Sequence, residues 1–385
     1  MSANSVSSRF SNLYRLVARL HDHMASYGYQ HTEVPVIEPA ELFLTRAGDQ
    51  IIHKLFTFDR HGISLALRPE FTSPALRRYI SQYSGLHYPA VRWQFSGTIF
   101  EDDPSDVGMQ YERMSVGAEC IGLAGVAADA ELIAMAVTGC DAVGTRAGTL
   151  VLGHVQLVRA LLSAYELDNR LQQFVLSHLS ALRDPALGVE YVMSRFDALA
   201  SGIGEPISLR AEADAQRAFE LVLDSTERGA TLGGRTQADI ARRLLQKQRR
   251  ASQRGQIIDV LRFLDELCAI NATQDDAFSR LRRFPVQSAA WSATLDDWEV
   301  MVQNLLAHDI KVSSVMIQPG ALRDWEYYSG MIFELYGTDG RHLAGGGRYD
   351  DFARLLGAPV DIPAVGFVYY LDQLMTVSTD ENASC

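Results

Sequence analysis

The chain has 385 residues, 47% of them hydrophobic, and no run of roughly 18 uncharged apolar residues; one large packed body is expected and a membrane-spanning helix is not. Its 47 acidic residues outnumber 35 basic ones, giving a net charge of −12, which argues against nucleic acid as the main partner because tight phosphate binding rests on Lys and Arg. The polar start Met1 to Ser8 lacks a secretory pattern, Cys120, Cys140, Cys268 and Cys385 lack paired or ligand spacing, and the ten histidines form no HExxH-like motif; the expectation is a cytoplasmic chain with reduced thiols, no metal and no cofactor.

Phe10, Leu13, Leu16, Leu20 and Met24 recur at helical spacing and predict a helix over 9–28 that Gly28 ends. Thr32 to Ile37 reads as an extended run, confined by Pro35 and Pro39 to a sheet edge or a turn. Leu55 to Phe58 and Ile63 to Leu67 flank His61-Gly62 and predict a hairpin. A helix is expected over Pro74 to Tyr83, then strands over Ala90 to Phe100 and Arg113 to Ile121 around the polar loop Glu101 to Gly108. Ala127 to Ala142 reads as a helix, Thr149 to Gly153 as a strand and His154 to Tyr165 as a helix.

From 167 to 285 strand signals are few and Arg and Gln concentrate, so a helical insertion is expected. Strand periodicity returns at Val312 to Ile317, Gly330 to Tyr336 and His342 to Ala344. After Gly345-Gly346-Gly347, which suits a turn or a close backbone approach, come a helix over Tyr349 to Leu356 and a strand–helix pair from Ala364. The expected organisation is one discontinuous domain, 1–166 with 286–377, an insertion 167–285 and a polar tail 378–385. Strands interleaved irregularly with helices favour an α+β fold over a doubly wound one.

Five stretches, in order, resemble the catalytic domain of histidyl-tRNA synthetase. Tyr27-Gly28-Tyr29 through Val34-Pro35 to Glu38 is similar to the dimer-forming first motif of class II synthetases. Leu67-Arg68-Pro69-Glu70-Phe71-Thr72 resembles the family's LRPE-x-T strand. Arg92 to Asp103, with Gly117-Ala118-Glu119, resembles the second motif and the strand after it. Leu322 to Tyr328, with Phe333-Glu334, resembles the histidine "A" motif. Gly345 to Asp350 resembles the "B" motif, with Pro363 to Phe367 leading into the third class II motif. The resemblance implies an antiparallel sheet flanked by helices, a homodimer, and a helical insertion between the second and third motifs.

The resemblance also implies two ATP-binding arginines, and neither is present. The second-motif position is Glu101, the third-motif position is Gln373, and Tyr370 stands where the family has a small glycine. Arginine suits that task because its charged, planar fork grips phosphate in bidentate fashion. One charge pair about 4 Å apart at a partly solvated site contributes roughly 4 kcal/mol, or about three orders of magnitude in affinity. Two lost arginines and an added carboxylate therefore predict a lost ATP site. A synthetase continues past the third motif into an anticodon-binding domain; too few residues follow here to build one, and no tRNA partner is expected.

The amino-acid side is better kept. By resemblance, Glu70 and Thr72 hold the α-amino group of histidine, Glu119, Tyr327 and Tyr328 contact the amino acid and its imidazole, Gly346 and Tyr349 close the pocket, and Arg323 matches the catalytic arginine of the "A" motif. Carboxylates and phenols fit, because an ammonium and an imidazole N–H are donors that need buried acceptors. Ser115 stands where the family has a contributing Gln, which bears on ligand identity. Read without the resemblance, Glu70 is equally a turn carboxylate, Tyr327 and Tyr328 are core aromatics, and Arg323 is a loop charge. The basic segment Arg235 to Arg254 is either a solvated helix or a partner surface.

A synthetase-like chain with these losses resembles the regulatory subunit of ATP phosphoribosyltransferase. That resemblance implies a non-catalytic protein that assembles with a short catalytic subunit into a hetero-oligomer and transmits histidine feedback inhibition, by linkage between the histidine site and the state of the assembly. Two alternatives stay open: a diverged ligase that activates an amino acid, and an amino-acid sensor for another partner.

Overall fold

A computed structural model describes residues 3–45, 52–83, 88–102, 111–165, 167, 169–184, 186–200, 254–286, 288–321, 323, 325 and 327–375. The chain divides into two compact units, Met1–Ala164 with Cys268–Cys385, and Tyr165–Leu267.

The first unit is built on a nine-stranded sheet. Its strands are β1 (Gln30–His31), β5 (Val91–Phe100), β6 (Glu112–Ile121), β7 (Ala147–His154), β8 (Ala272–Thr273), β9 (Ser314–Ile317), β10 (Met331–Gly337), β11 (His342–Arg348) and β12 (Ala364–Tyr370). They lie in the order β1-β5-β6-β12-β11-β10-β7-β9-β8. The central pairs are antiparallel, while β1–β5 and β7–β9 run parallel. A separate three-stranded sheet holds β2 (Ile37–Pro39), β3 (Thr57–Arg60) and β4 (Ile63–Leu67) in the order β2-β4-β3. This is the expected α+β architecture.

The hairpin expected about His61-Gly62 forms between β3 and β4, and both turn residues adopt positive φ, 53° and 76°. That conformation gives the two-residue turn the twist of its strands. The long pair β5–β6 keeps an unbroken register from Val91↔Ile121 to Phe100↔Glu112. One face of the sheet is covered by the helix Val126–Ala142, whose alanine-rich sequence lets neighbours approach from all sides. The helices Ala3–Ser26 and Ala289–Ala307 pack on it in turn. Tyr369 of β12 donates to the carbonyls of Met135 and Ala136, and a side chain at Gly139 would meet its hydroxyl at 1.9 Å. No described helix is long and apolar enough to cross a membrane.

Four expectations need correction. Leu67 to Thr72 is not a strand: β4 ends at Leu67, and Thr72 already begins the helix Thr72–Gln82. Pro69 explains the break, since it has no N–H for a ladder. The Gly345 to Gly347 run is not a turn but the middle of β11, paired on both sides. The helix expected from Tyr349 is only Phe352–Leu355, because Asp350 is held in a turn: its Oδ1 accepts from Ala364 N and Arg348 Nη1, both at 2.9 Å. The contact division ends the second unit at Leu267, not 285. Residues 268–285 belong with the large sheet, where β8 pairs with β9 and Phe278 meets Trp298 edge-on at 5.5 Å.

The second unit contains the helices Asn169–Ser177, Leu179–Arg183 and Gly188–Ala200 and helical residues 254–267. Val175, Leu179, Val192, Val260 and Leu264 form its buried interior. The basic segment 235–254 lies outside the described residues except Arg254, which pairs with Asp197 at 3.0 Å. The tail 378–385 also lies outside them.

Candidate functional site

Strand parity builds the site. Side chains alternate across a sheet, so Ser115 and Glu119 of β6 share one face. Register places Glu119 beside Gly366 and Ser115 beside Tyr370 on β12. On the same face, Glu334 of β10 lies beside Gly345 of β11, which lies beside Val368. A cavity of ≈ 540 Å³ opens over this face. The glycines are what make room there. A Cβ at Gly366 would fall 1.6 Å from Glu119 Oε2, and one at Gly345 would fall 1.8 Å from Arg323 Nη1.

One end of the cavity is carboxylate and phenol. Thr72, in the first turn of its helix, donates to Glu119 Oε1 at 2.6 Å, and the Tyr349 hydroxyl donates to Oε2. Burial raises the Glu119 pKa to about 8; the two hydroxyl donors oppose that rise and the nearby Glu70 adds to it. Glu70 accepts from Ser73 N with both oxygens, at 3.0 and 3.2 Å, so part of its role is to satisfy the start of the helix. Burial raises its pKa as well, against the hydrogen bonds from Ser73 and Thr72. Tyr327 and Tyr328 stand beside these acids with ring centroids 4.7 Å apart, and burial pushes the Tyr328 phenol up to about 12.

The other end holds a cation. Arg323 donates from Nη1 to Glu334 Oε1 and from Nη2 to the Tyr370 hydroxyl, both at 2.7 Å. Glu334 Oε2 pairs with His342 Nε2, which fixes the carboxylate between the two bases. Burial works against the charge on Arg323, but Glu334 and the surrounding phenols outweigh it and hold the guanidinium pKa above its ordinary value.

Of the expected amino-acid contacts, Glu70, Thr72, Ser115, Glu119, Arg323, Tyr327 and Tyr328 all line this one cavity. Tyr349 does not line it; the side chain is 1% exposed and touches the site from behind, through Glu119 and the ring of Tyr327. Gly346 does not line it either, because strand alternation puts its neighbour Gly345 there instead. Glu101, Tyr370 and Gln373 line the same cavity. Sequence reading assigned no role to Glu334 or His342. The signal for Glu334 was present: a carboxylate inside the apolar run Met331-Ile332-Phe333-Glu334-Leu335, opposite a glycine.

The charge balance of the lining bears on what can bind. Five acids face the cavity, Glu70, Glu101, Glu119, Glu334 and Asp372. Three permanent cations oppose them, Lys54, Arg113 and Arg323. Burial pushes two of the acids, Glu70 and Glu119, toward their neutral forms, so the lining holds no surplus of positive charge for a triphosphate, and it offers an ammonium acceptors that ionise as it binds.

The chain matches the family model for histidyl-tRNA synthetase over residues 5–198 and 216–374. An ATP phosphoribosyltransferase regulatory subunit of Brucella canis is 30% identical over 361 residues, 91% of this chain and 93% of that one. The protein of the same description from Brucella abortus is equally similar over the same span. Among solved structures, an ATP phosphoribosyltransferase regulatory subunit/histidyl-tRNA synthetase from Bacillus halodurans C superposes with a TM-score of 0.62 at 19% identity, covering 95% of this chain and 79% of that one. A histidine–tRNA ligase subunit from Alicyclobacillus acidocaldarius gives 0.59 at 19% identity, covering 97% and 94%. At that identity the two structures speak for the fold alone.

Proposed function

The chain belongs to the histidyl-tRNA synthetase-like family of ATP phosphoribosyltransferase regulatory subunits, and from that premise we propose that it is a non-catalytic subunit which binds free histidine in the cavity over β6 and β12. In this reading it assembles, as a homodimer, with a short catalytic phosphoribosyltransferase in a cytoplasmic hetero-oligomer. It is needed there for the first step of histidine biosynthesis and for feedback control of that step.

The observation that carries the proposal is the polarity of the cavity. Glu70 and Glu119 at one end accept from an ammonium and an imidazole N–H, and Arg323 at the other is matched to a carboxylate. The loss of catalysis is supported by the same lining: Glu101 and Gln373 stand where two arginines would bind ATP and bring no positive charge. Val36, Ile37 and Ile63, exposed on or beside the three-stranded sheet, support association through that face. Feedback then needs only that histidine bind one state of the assembly more tightly than another, with a coupling typically about 1–3 kcal/mol.

The test is phosphoribosyl transfer by a short catalytic subunit with and without this chain, each titrated with histidine. The proposal expects activity to require the chain and histidine to inhibit only the assembled form. Activity indifferent to both would contradict it.

A further inference from the structure

The contacts around Arg323 leave part of its guanidinium unspent. Nη1 is taken by Glu334, and Nη2 by the oxygen of Tyr370. Glu334 is not free to exchange, because His342 holds its second oxygen. Arg323 Nε is buried without a partner, and the tilted His342 and Tyr370 rings meet at 4.5 Å, so the group is packed in place. The phenol oxygen of Tyr370 serves as an acceptor. Its O–H has no acceptor among the described contacts, and the residue lines the cavity.

A hydroxyl that accepts from a cation becomes a better donor, because linked hydrogen bonds polarise one another. Tyr370 therefore extends the pull of Arg323 into the cavity without Arg323 leaving Glu334. The residue occupies the position expected to exclude a nucleotide, and exclusion alone would be met by any bulky side chain. A phenylalanine would fill the space as well. The hydroxyl asks for a further role.

We propose that Tyr370 is the specificity-determining donor for the free carboxylate of the bound amino acid. The ligand lies with its ammonium and ring toward Glu70 and Glu119 and sets its carboxylate against the Tyr370 O–H, with the Arg323 guanidinium behind it. This rests on the amino-acid reading of the cavity and narrows it. The site recognises the free acid, and an esterified or adenylated histidine, whose carboxylate charge is gone, is discriminated against.

The experiment is isothermal titration of the whole chain and of Tyr370→Phe with two ligands, L-histidine and histamine, which is the same molecule without the carboxylate. A hydrogen bond to a charged group predicts that the variant loses about 10- to 100-fold in affinity for histidine. Its affinity for histamine stays that of the wild type, and that binding also reports an intact cavity in the variant. Equal losses for both ligands, or no loss for histidine, overturn the role of Tyr370 and leave the amino-acid site standing. A wild-type chain that binds neither ligand overturns the reading of the cavity itself.

Discussion

Thr72 and Glu119 are joined by a 2.6 Å hydrogen bond across 47 residues of sequence, tying the first turn of the helix after β4 to the C-terminal end of β6. The tie holds a carboxyl that is 2% exposed at the acidic end of the cavity, with a pKa raised to about 8. A group in that condition has consequences for stability and for binding, and they oppose each other.

For stability, the carboxyl of the folded chain keeps its proton up to about pH 8, whereas the unfolded chain releases it near its ordinary value of 4.5. Between those limits the native state holds more protons, so its contribution is full below about pH 4.5 and is lost as pH rises through 8. Glu119→Gln removes the titration and keeps the shape. Its stability is expected to gain on the wild type as pH rises from 4.5 toward 8, by about 1 kcal/mol or more, and the gap to level off above pH 8. Parallel melting curves from pH 6 to 9 would refute this.

For binding, a cationic ligand needs the ionised form of Glu119. At pH 7 histidine must then displace close to one proton, and affinity rises about fivefold between pH 7 and 8. Titrations at pH 7 in two buffers of different ionisation enthalpy measure the release directly. Identical heats in both would mean that Glu119 stays neutral in the complex.

Neighbouring glycines of β11 should separate ligand binding from folding. A Cβ at Gly345 meets the flexible ends of Arg323 and Glu334, at 1.8 and 2.3 Å. Gly345→Ala is therefore expected to fold and to lose about tenfold or more in histidine affinity. A Cβ at Gly346 meets the backbone oxygen of Gly366 at 2.1 Å and Phe367 Cα at 2.6 Å, neither of which moves without parting β11 from β12. Gly346→Ala should lose about 2 kcal/mol or more of stability, read by denaturant unfolding. The reverse ranking would place the cavity on the wrong face of the strand.

Arg348 makes a buried ion pair with Asp129, the two side chains 9% and 7% exposed, and so pins the end of β11 to the helix Val126–Ala142. Arg348→Leu leaves Asp129 buried and uncompensated and is expected to cost about 3–5 kcal/mol. Adding Asp129→Leu should recover part of that loss. A double variant less stable than the single one would show that Asp129 has other partners that matter more.

Local signals carried much of the fold. His61-Gly62 marked its hairpin because the turn needs positive φ at both positions, and the long strands β5 and β6 stood out by their length and by the polar loop between them. What the sequence left open depends on pairings distant along the chain. Gly345 and Gly346 are indistinguishable until the register of β11 against β10 and β12 is known. Glu334 read as one more motif residue, because nothing local says that Arg323 and His342 share its two oxygens. The end of the insertion was misplaced because a helix such as Gln274–Leu281 has the same pattern whether it packs in one unit or the other. The residues expected around the amino acid converge on one cavity except Tyr349 and Gly346, one acting from behind Glu119 and the other facing the adjacent strand.

The most direct measurement is isothermal titration of the whole chain with histidine and, separately, with ATP. The account predicts saturable binding of histidine and no binding of ATP. ATP binding of comparable strength would contradict it, since a cavity bearing Glu101, Gln373 and Tyr370 would then accommodate a triphosphate after all.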